Sequence, residues 1–588
     1  MARGRTQQQS APVPARGAHR AGVWPLVTAA EMQALDRQTI EGRGLPGELL
    51  MESAGRALVA PVLALLAADR RGPRDRRIVR AICGAGNNGG DGFVAVRHLR
   101  AEGIEAEALL IGDPAQLPAD AAANWRRLVA LGGAAAAARA IRPDVGAFDW
   151  DALFDGTSVA IDALFGTGLR RPVEGGLARV IEAQNAARRR GLRVVAVDLP
   201  SGIAADTGQI LGVAVEADRT VTISLPKPGL ALEPGRSRAG RIEVARVGID
   251  DPDPARPERI ELWNARAALA RFPARDRDGH KGRFGHVLLA AGSPGKWGAA
   301  SLSARAALRA GAGLVTLVLP EAEGLSLPNA CAELMTERAP ATKSGGFARE
   351  SAVTIGALAR ARTVLALGPG LGSDPETVDC VRRLVAEVER PLVVDADGLN
   401  ALVGSLEGLR ARSSPTVLTP HPGEAARLLE SDAATINADR VAAARRLASV
   451  SGAVVLLKGA GTVVAAPDGR VLIVPTGGPA LASGGTGDVL TGVVASLLAA
   501  GLEAFDAAGL AAWWHGAAAD RSPQAGPGFG LLARELADAL PGAAAALRGE
   551  VVALDADTDA GAGADSEGED AGDGRAGGAD LSLRFPGP

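Results

Sequence analysis

Short apolar runs constrain this chain more than any other feature. Each has strand length, ends at a turn bearing Gly, Asp or Pro, and is followed by a helical or glycine-rich segment. RIVRAIC, EAEALLIG, VAIDALFG, RVVAVDLP and RTVTISL form one series; HVLLAAG, GLVTLVLP, RTVLALGPG, PLVVDADG, PTVLTPHPGE, AVVLLKGAG and VLIVPTGG form a second. Such alternation predicts an α/β protein, with parallel sheets covered by helices on both faces. Two series predict two units, and neither is a sequence repeat of the other. TAAEMQALDRQTI predicts a helix capped by Thr28. The Ala- and Leu-rich segments AASLSARAALRAGAG and DVLTGVVASLLAAG predict buried helices.

VGIDDPDPARPERIELWN, dense in Pro and Asp, breaks the alternation and reads as a linker. The expected organisation is a disordered extension at 1–23, a first domain at 24–250, a linker at 251–262, a second domain at 263–547 and a disordered tail at 548–588. That tail is acidic and glycine-rich and cannot bury a core.

Composition excludes several classes. A net charge of -3 gives no basic field for nucleic acid, and 3% aromatics without Tyr leaves no platform for stacking bases. Cys83, Cys331 and Cys380 are far apart and odd in number, as reduced thiols of a cytoplasmic protein would be. The histidines lack metal-ligand spacing. No apolar run reaches the roughly 20 uncharged residues of a membrane span, and the N-terminus has no hydrophobic signal region.

GAGNNGGDG, Gly84 to Gly92, lies between a predicted strand and a predicted helix. Gly84, Gly86 and Gly89 fit the dinucleotide fingerprint, a signal that a plain turn explains about as well. Asn87, Asn88 and Asp91 add polar groups that a nicotinamide dehydrogenase does not require, and the ribose-binding carboxylate is poorly placed, EAEALLIGD ending at Asp113. Further strand ends bring Asp162 with the loop Gly166–Gly168, and Asp198 with Ser201. Oxygen donors without imidazole or thiolate suit a hard cation; turn capping is the alternative for each residue taken singly.

In the second unit GGTGDVLTG opens a helix whose free N–H groups form an anion hole, with Asp488 in its first turn placed to accept a proton. Lys458 with Gly459 and Gly461, the glycines 368, 370 and 372, His421 with Glu424, and the pair Asp395 and Asp397 end other strands. Asp395 and Asp397 could hold magnesium or cap turns.

LLMESAG, GAGNNGGDG, DALFGTGL, VDLPSG and LPKPG, in that order, resemble the epimerase domain of the NAD(P)H-hydrate repair enzymes, a Rossmann-like three-layer domain. The resemblance implies that Asn87, Asn88, Gly89, Gly90 and Asp91, the segment Gly166, Thr167, Gly168, Leu169, Arg170, Arg171 and Pro172, and Asp198 bind a hydrated NADH or NADPH. It implies potassium at Asn88, Asp162 and Ser201. HKGRFGHVLLAAGSPGKWGAA, TPHPGEAARLL, LLKGAGT and GGTGD resemble the ADP-dependent NAD(P)H-hydrate dehydratases, which have a ribokinase-like fold. There the hydrate would meet Ala299, Gly370, His421 and Asp488, and ADP, with magnesium, would meet Lys458, Gly459, Ala460, Gly461, Thr462 and Gly487. Asp198 and Asp488 are the candidate catalytic residues. The expected ligands are the hydrates and ADP, without nucleic acid or membrane, and the expected assembly is a cytoplasmic homo-oligomer. The competing readings are a ribokinase-like small-molecule kinase fused to a dinucleotide-binding domain, a non-enzymatic nucleotide-binding protein, and a nicotinamide dehydrogenase.

Overall fold

The computed structural model describes residues 22–68, 78–131, 137–142, 148–321, 332–526, 528–563 and 582–583. Most of the expected N-terminal extension, Cys331 and most of the expected tail lie outside the described residues.

Two sheets organise the chain. In the first, the order is Arg241–Ala245, Arg219–Ile223, Arg193–Val197, Thr157–Ala163, Ile78–Cys83, Glu105–Ile111 and Ala138–Ile141, all parallel, with Ser582–Leu583 antiparallel at the Arg241 edge. The sequence order reverses between Ile78–Cys83 and Thr157–Ala163. In the second, Val454–Leu457, Thr416–Leu418, Leu392–Val394, Val364–Leu367, His286–Ala290, Leu314–Pro320 and Met335–Ala339 form a parallel array. Its order reverses between His286–Ala290 and Val364–Leu367. Open α/β sheets bind ligands beyond the carboxyl ends of strands at such reversals, because the flanking helices leave to opposite faces and open a crevice.

The remaining strands correct the expected boundaries. Val23–Leu26 pairs antiparallel with Ile260–Trp263, which extends the second sheet through Val471–Val474 and Thr462–Ala465. The expected division at 24–250 and 251–262 therefore cuts across the sheets. Each of the two strands alone would leave a row of unpaired N–H and C=O groups, and pairing satisfies both. Ile260 and Leu262 are buried while Glu261 between them is not, an alternation that the preceding prolines and aspartates obscure. The helix opening at Ala533 runs to Gly563, past residue 548, where the tail was expected to start. The alanines there favour continuing the helix.

Thr28 caps the Ala29–Arg37 helix, as expected, and Glu31 completes a capping box by accepting from the Thr28 N–H. One apolar cluster joins Leu199, Ile203, Leu230 and Leu232 of the first unit to Leu26, Ile260, Val463 and Ile473 of the second sheet, so the units share a core. Among the described residues one helical stretch, Gly47–Ala68, is long and apolar enough to cross a membrane, and half of its apolar window is buried inside the protein.

Candidate functional site

The first site forms where strands Ile78–Cys83, Thr157–Ala163, Arg193–Val197 and Arg219–Ile223 end. The Asn87–Ala101 helix starts without a side-chain cap, leaving its first N–H groups open to an anion. The loop before it lies against the neighbouring strand end: a Cβ on Gly84 would come within 2.1 Å of the Leu164 carbonyl oxygen. Asn88 borders Gly166, and its buried Nδ2 has no partner. Arg170 and Arg171 are exposed at the rim.

Asp162 is fully buried. It accepts hydrogen bonds from the Ser201 N–H (2.7 Å) and Oγ (2.6 Å). Burial pushes its carboxyl up to about 6, against the lowering effect of the Ser201 bonds. Among the described residues no Lys, Arg or His pairs with it. The Ser201 hydroxyl also accepts from the Phe165 N–H at 2.9 Å, so Asp162, Ser201 and the start of the Gly166 loop are one unit.

Asp198 adopts φ 67°, a left-handed conformation that costs a non-glycine residue of order 1 kcal/mol and persists where surroundings enforce it. Its Oδ1 accepts from Thr222 Oγ1 (3.1 Å), the Ile223 N–H (3.0 Å) and Lys227 Nζ, while Oδ2 has no protein donor among the described residues. Lys227 is wholly buried. Burial, Asp198 and Asp36 raise the Asp91 carboxyl well above the ordinary aspartate range, and Lys227 opposes them. Burial also raises Asp36, Lys227 lowers it and Asp198 raises it. Three carboxyls thus share one lysine.

The second site forms where strands His286–Ala290, Val364–Leu367, Leu392–Val394, Thr416–Leu418 and Val454–Leu457 end. Gly485 (φ 92°) precedes the Thr486–Ala499 helix, and Asp488 stands in its first turn. Lys458 Nζ donates to Asp395 Oδ1 at 2.7 Å and lies 3.7 Å from Glu424 Oε2. It lies close to Gly487 as well. Asp395 Oδ2 accepts from Thr491 Oγ1 at 2.7 Å. Burial pushes the Asp488 carboxyl up to about 7; Asp395, Asp397 and Glu424 add to this and Lys458 opposes it. A carboxyl near neutrality is suited to general-base work.

His421 caps the Pro422–Leu428 helix, its Nδ1 accepting from the Gly423 N–H (3.0 Å) and Glu424 N–H (3.3 Å), while Glu424 returns the bond to the His421 N–H. Its ring is half exposed, with Nε2 3.5 Å from Glu424 Oε1. Gly370 takes φ 68°, and a Cβ there would meet the Lys296 carbonyl oxygen at 2.8 Å and Ala299 Cβ at 3.3 Å, so Gly370 and Ala299 face each other. Asp397 joins their loops, accepting from Lys296 Nζ (3.0 Å) and the Gly372 N–H (2.8 Å). Asp395 and Asp397 thus anchor neighbouring groups.

The structure gathers candidate residues into two groups at strand ends: Asn88, Asp91, Asp162, Gly166, Asp198 and Ser201 in the first, Ala299, Gly370, His421, Lys458, Gly487 and Asp488 in the second. Sequence reading missed Asp36, Lys227, Arg440 and His515. His515 is buried and donates from Nε2 to the Thr486 carbonyl at 2.9 Å, bracing the first turn beside Asp488; burial lowers its pKa to about 4, so it is neutral at pH 7. Lysine scarcity was an available signal. The chain has only five lysines, and Lys227, Lys296 and Lys458 all stand at these strand ends.

A family model described as NAD(P)H-hydrate dehydratase matches residues 287–542, and one described as YjeF-related protein N-terminus matches residues 47–229. The bifunctional NAD(P)H-hydrate repair enzyme of Moorella thermoacetica is 42% identical, covering 88% of this chain and 96% of its own. That of Salinibacter ruber is 40% identical, covering 90% and 97%. Among solved structures, the ADP/ATP-dependent NAD(P)H-hydrate dehydratase from Bacillus subtilis, co-crystallized with ATP/Mg2+, is 31% identical with a TM-score of 0.42, covering 49% of this chain and 98% of that one.

Proposed function

Because the chain belongs to the family of bifunctional NAD(P)H-hydrate repair enzymes, we propose that its first cleft interconverts the R and S hydrates of NADH and NADPH. The second cleft then dehydrates the S hydrate at the expense of ADP. The hydrate is a hemiaminal: one ring carbon bears both the hydroxyl and the ring nitrogen. The nitrogen lone pair expels hydroxide when an acid protonates it, and water returning to the other face inverts the centre. Asp198 serves as that acid and base through Oδ2, with Lys227 and Ile223 fixing Oδ1. Asp91, which keeps its proton to higher pH than an ordinary aspartate, donates to the bound nucleotide.

Asn88, Asp162 and Ser201 fit potassium. A buried carboxylate without a cation partner among the described residues, a hydroxyl and the Asn88 side-chain carbonyl beside Gly166 offer oxygen donors and leave negative charge to be countered. The ion supplies positive charge for a nucleotide phosphate or water. Asn87, Gly89 and Gly90 bring helix N–H groups, and the segment Gly166–Pro172 closes the rim.

In the second cleft hydroxide leaves poorly, so phosphorylation comes first. Asp488 takes the hydroxyl proton as the hydroxyl oxygen attacks the terminal phosphorus of ADP. AMP departs; phosphate then leaves the ring carbon and a neighbouring carbon loses its proton, which restores the double bond. The Gly484–Gly487 turn holds the transferring group. Gly370, Ala299 and His421 bound the ring, and Lys458–Thr462 hold ADP. Asp395 and Asp397 are committed to Lys458, Thr491, Lys296 and the Gly372 N–H, so magnesium is assigned to the nucleotide and not to this pair. The enzyme works in the cytoplasm as a homo-oligomer.

The observation that carries this reading is Asp488, its carboxyl pushed up to about 7 in the first turn of a helix that starts without a side-chain cap, with Lys458 Nζ beside Gly487. The purified chain is mixed with both hydrate epimers and ADP while NADH absorbance is followed. Complete recovery is expected. Recovery of one epimer only refutes the assignment of the first cleft, and a stable phosphorylated product with no NADH refutes that of the second in favour of a kinase.

A further inference from the structure

Arg440 begins the Arg440–Ser451 helix, is buried, and lies directly beneath the loop that joins Val454–Leu457 to Thr462–Ala465. Its Nη2 donates to the carbonyls of Leu457 (3.1 Å), Lys458 (3.2 Å) and Gly461 (3.5 Å), and Nη1 donates to Asn437 Oδ1 at 3.3 Å. Its Nε has no partner among the described residues. No carboxylate pairs with it among the described residues. Asp439, the nearest in sequence, turns its own carboxylate to the Ala442 N–H at 2.9 Å. Burial alone lowers its pKa, to about 10. A buried guanidinium without a counter-carboxylate is costly.

The loop geometry indicates a use. In a trans peptide the C=O and the next N–H point in opposite directions. With the Lys458 carbonyl turned down to Arg440, the Gly459 N–H is turned up, away from the guanidinium, and neither Gly459 nor Ala460 N–H has a protein acceptor among the described residues. The fit is close: Gly459 has φ 147°, and a Cβ there would lie 2.7 Å from Nη1 and Nη2. A lysine ammonium could serve the carbonyls, but as a compact point charge it lacks the planar fork by which Nη1 also reaches Asn437 Oδ1 while Nη2 serves the loop.

We propose that Arg440 is a positioning residue for the nucleoside diphosphate: it holds the Lys458–Gly461 loop with its N–H groups facing the ligand, and the diphosphate balances its charge. This rests on the reading that Lys458–Thr462 bind ADP. The role is indirect, through the loop, so its signature is a split between substrates.

The test uses the full chain carrying Arg440→Gln, Arg440→Lys or Ala460→Asp. The last places a carboxylate on the exposed face of the loop without touching Arg440. Circular dichroism and thermal unfolding of the full chain report that each variant is folded in both units, and epimerisation at the first site serves as an internal control. The expected result for R440Q is a rise in KM for ADP of about 10- to 100-fold, with KM for the hydrate and kcat at saturating ADP changed by less than about threefold, and a smaller rise for R440K. If R440Q does not fold, R440K carries the test. An unchanged KM for ADP in the folded arginine variants while A460D raises it overturns the role of Arg440 alone. An unchanged KM for ADP in A460D as well overturns the assignment of the loop. A uniform loss of kcat with no change in KM for ADP also overturns the proposal.

Discussion

Asp488→Asn should make the protein more stable as it makes the second cleft inactive, and the gain should depend on pH. The folded carboxyl sits at about 7 against an ordinary 3.8, chiefly through burial and secondly through Asp395. An aspartate whose folded pKa is raised disfavours the folded state once it ionises. The penalty is absent below pH 3.8, grows between 3.8 and 7, and is complete above 7. At one pKa unit per 1.36 kcal/mol the cost is about 2 kcal/mol at pH 5 and about 4 kcal/mol at pH 8. An asparagine amide carries its own desolvation cost at every pH. The diagnostic is therefore the difference between the two pH values, about 2 to 3 kcal/mol, or a Tm shift of roughly 5–10 °C for a unit of this size. Thermal unfolding of wild type and variant at pH 5 and pH 8, with NADH recovery from the S hydrate measured alongside, makes the comparison. A variant whose stability gain is the same at both pH values would refute the placement of an ionised Asp488 among Asp395, Asp397 and Glu424.

Asp198→Asn should slow epimerisation by about 10²- to 10⁴-fold and leave dehydration of pure S hydrate unchanged, read by following each epimer by chromatography. Lys227→Met removes the buried partner of Asp198 and should destabilise the first unit by about 3–5 kcal/mol, which denaturant unfolding measures; a loss below about 1 kcal/mol would mean that the pair is not held as described. Potassium should raise the unfolding temperature of the wild type more than an equal concentration of lithium does, and Asp162→Asn should abolish that difference.

The sequence by itself determined what depends on neighbours along the chain. Apolar runs of strand length, the Thr28–Glu31 capping box and the Gly-rich start of the Thr486–Ala499 helix all follow from local periodicity and local hydrogen bonding. Strand ends are local too, so Asp162, Asp198, Lys458 and Asp488 could be picked out before any sheet order was known. Tertiary structure decided which strand ends meet. Only the order reversal beside Ile78–Cys83 brings the Asn88 loop to Gly166, and only the pairing of Val23–Leu26 with Ile260–Trp263 shows that residues at the two ends of the first unit belong to the second sheet. Asp198 and Lys227 are 29 positions apart, and Lys458 and Asp395 are 63 apart, in each case meeting through strands that pair at a distance. Nothing in the residues around Arg440 distinguishes it from the chain's many exposed arginines. Its role depends on a loop that the helix packing places above it, and burial, which turns a common surface charge into a costly one, is a property of the folded chain alone.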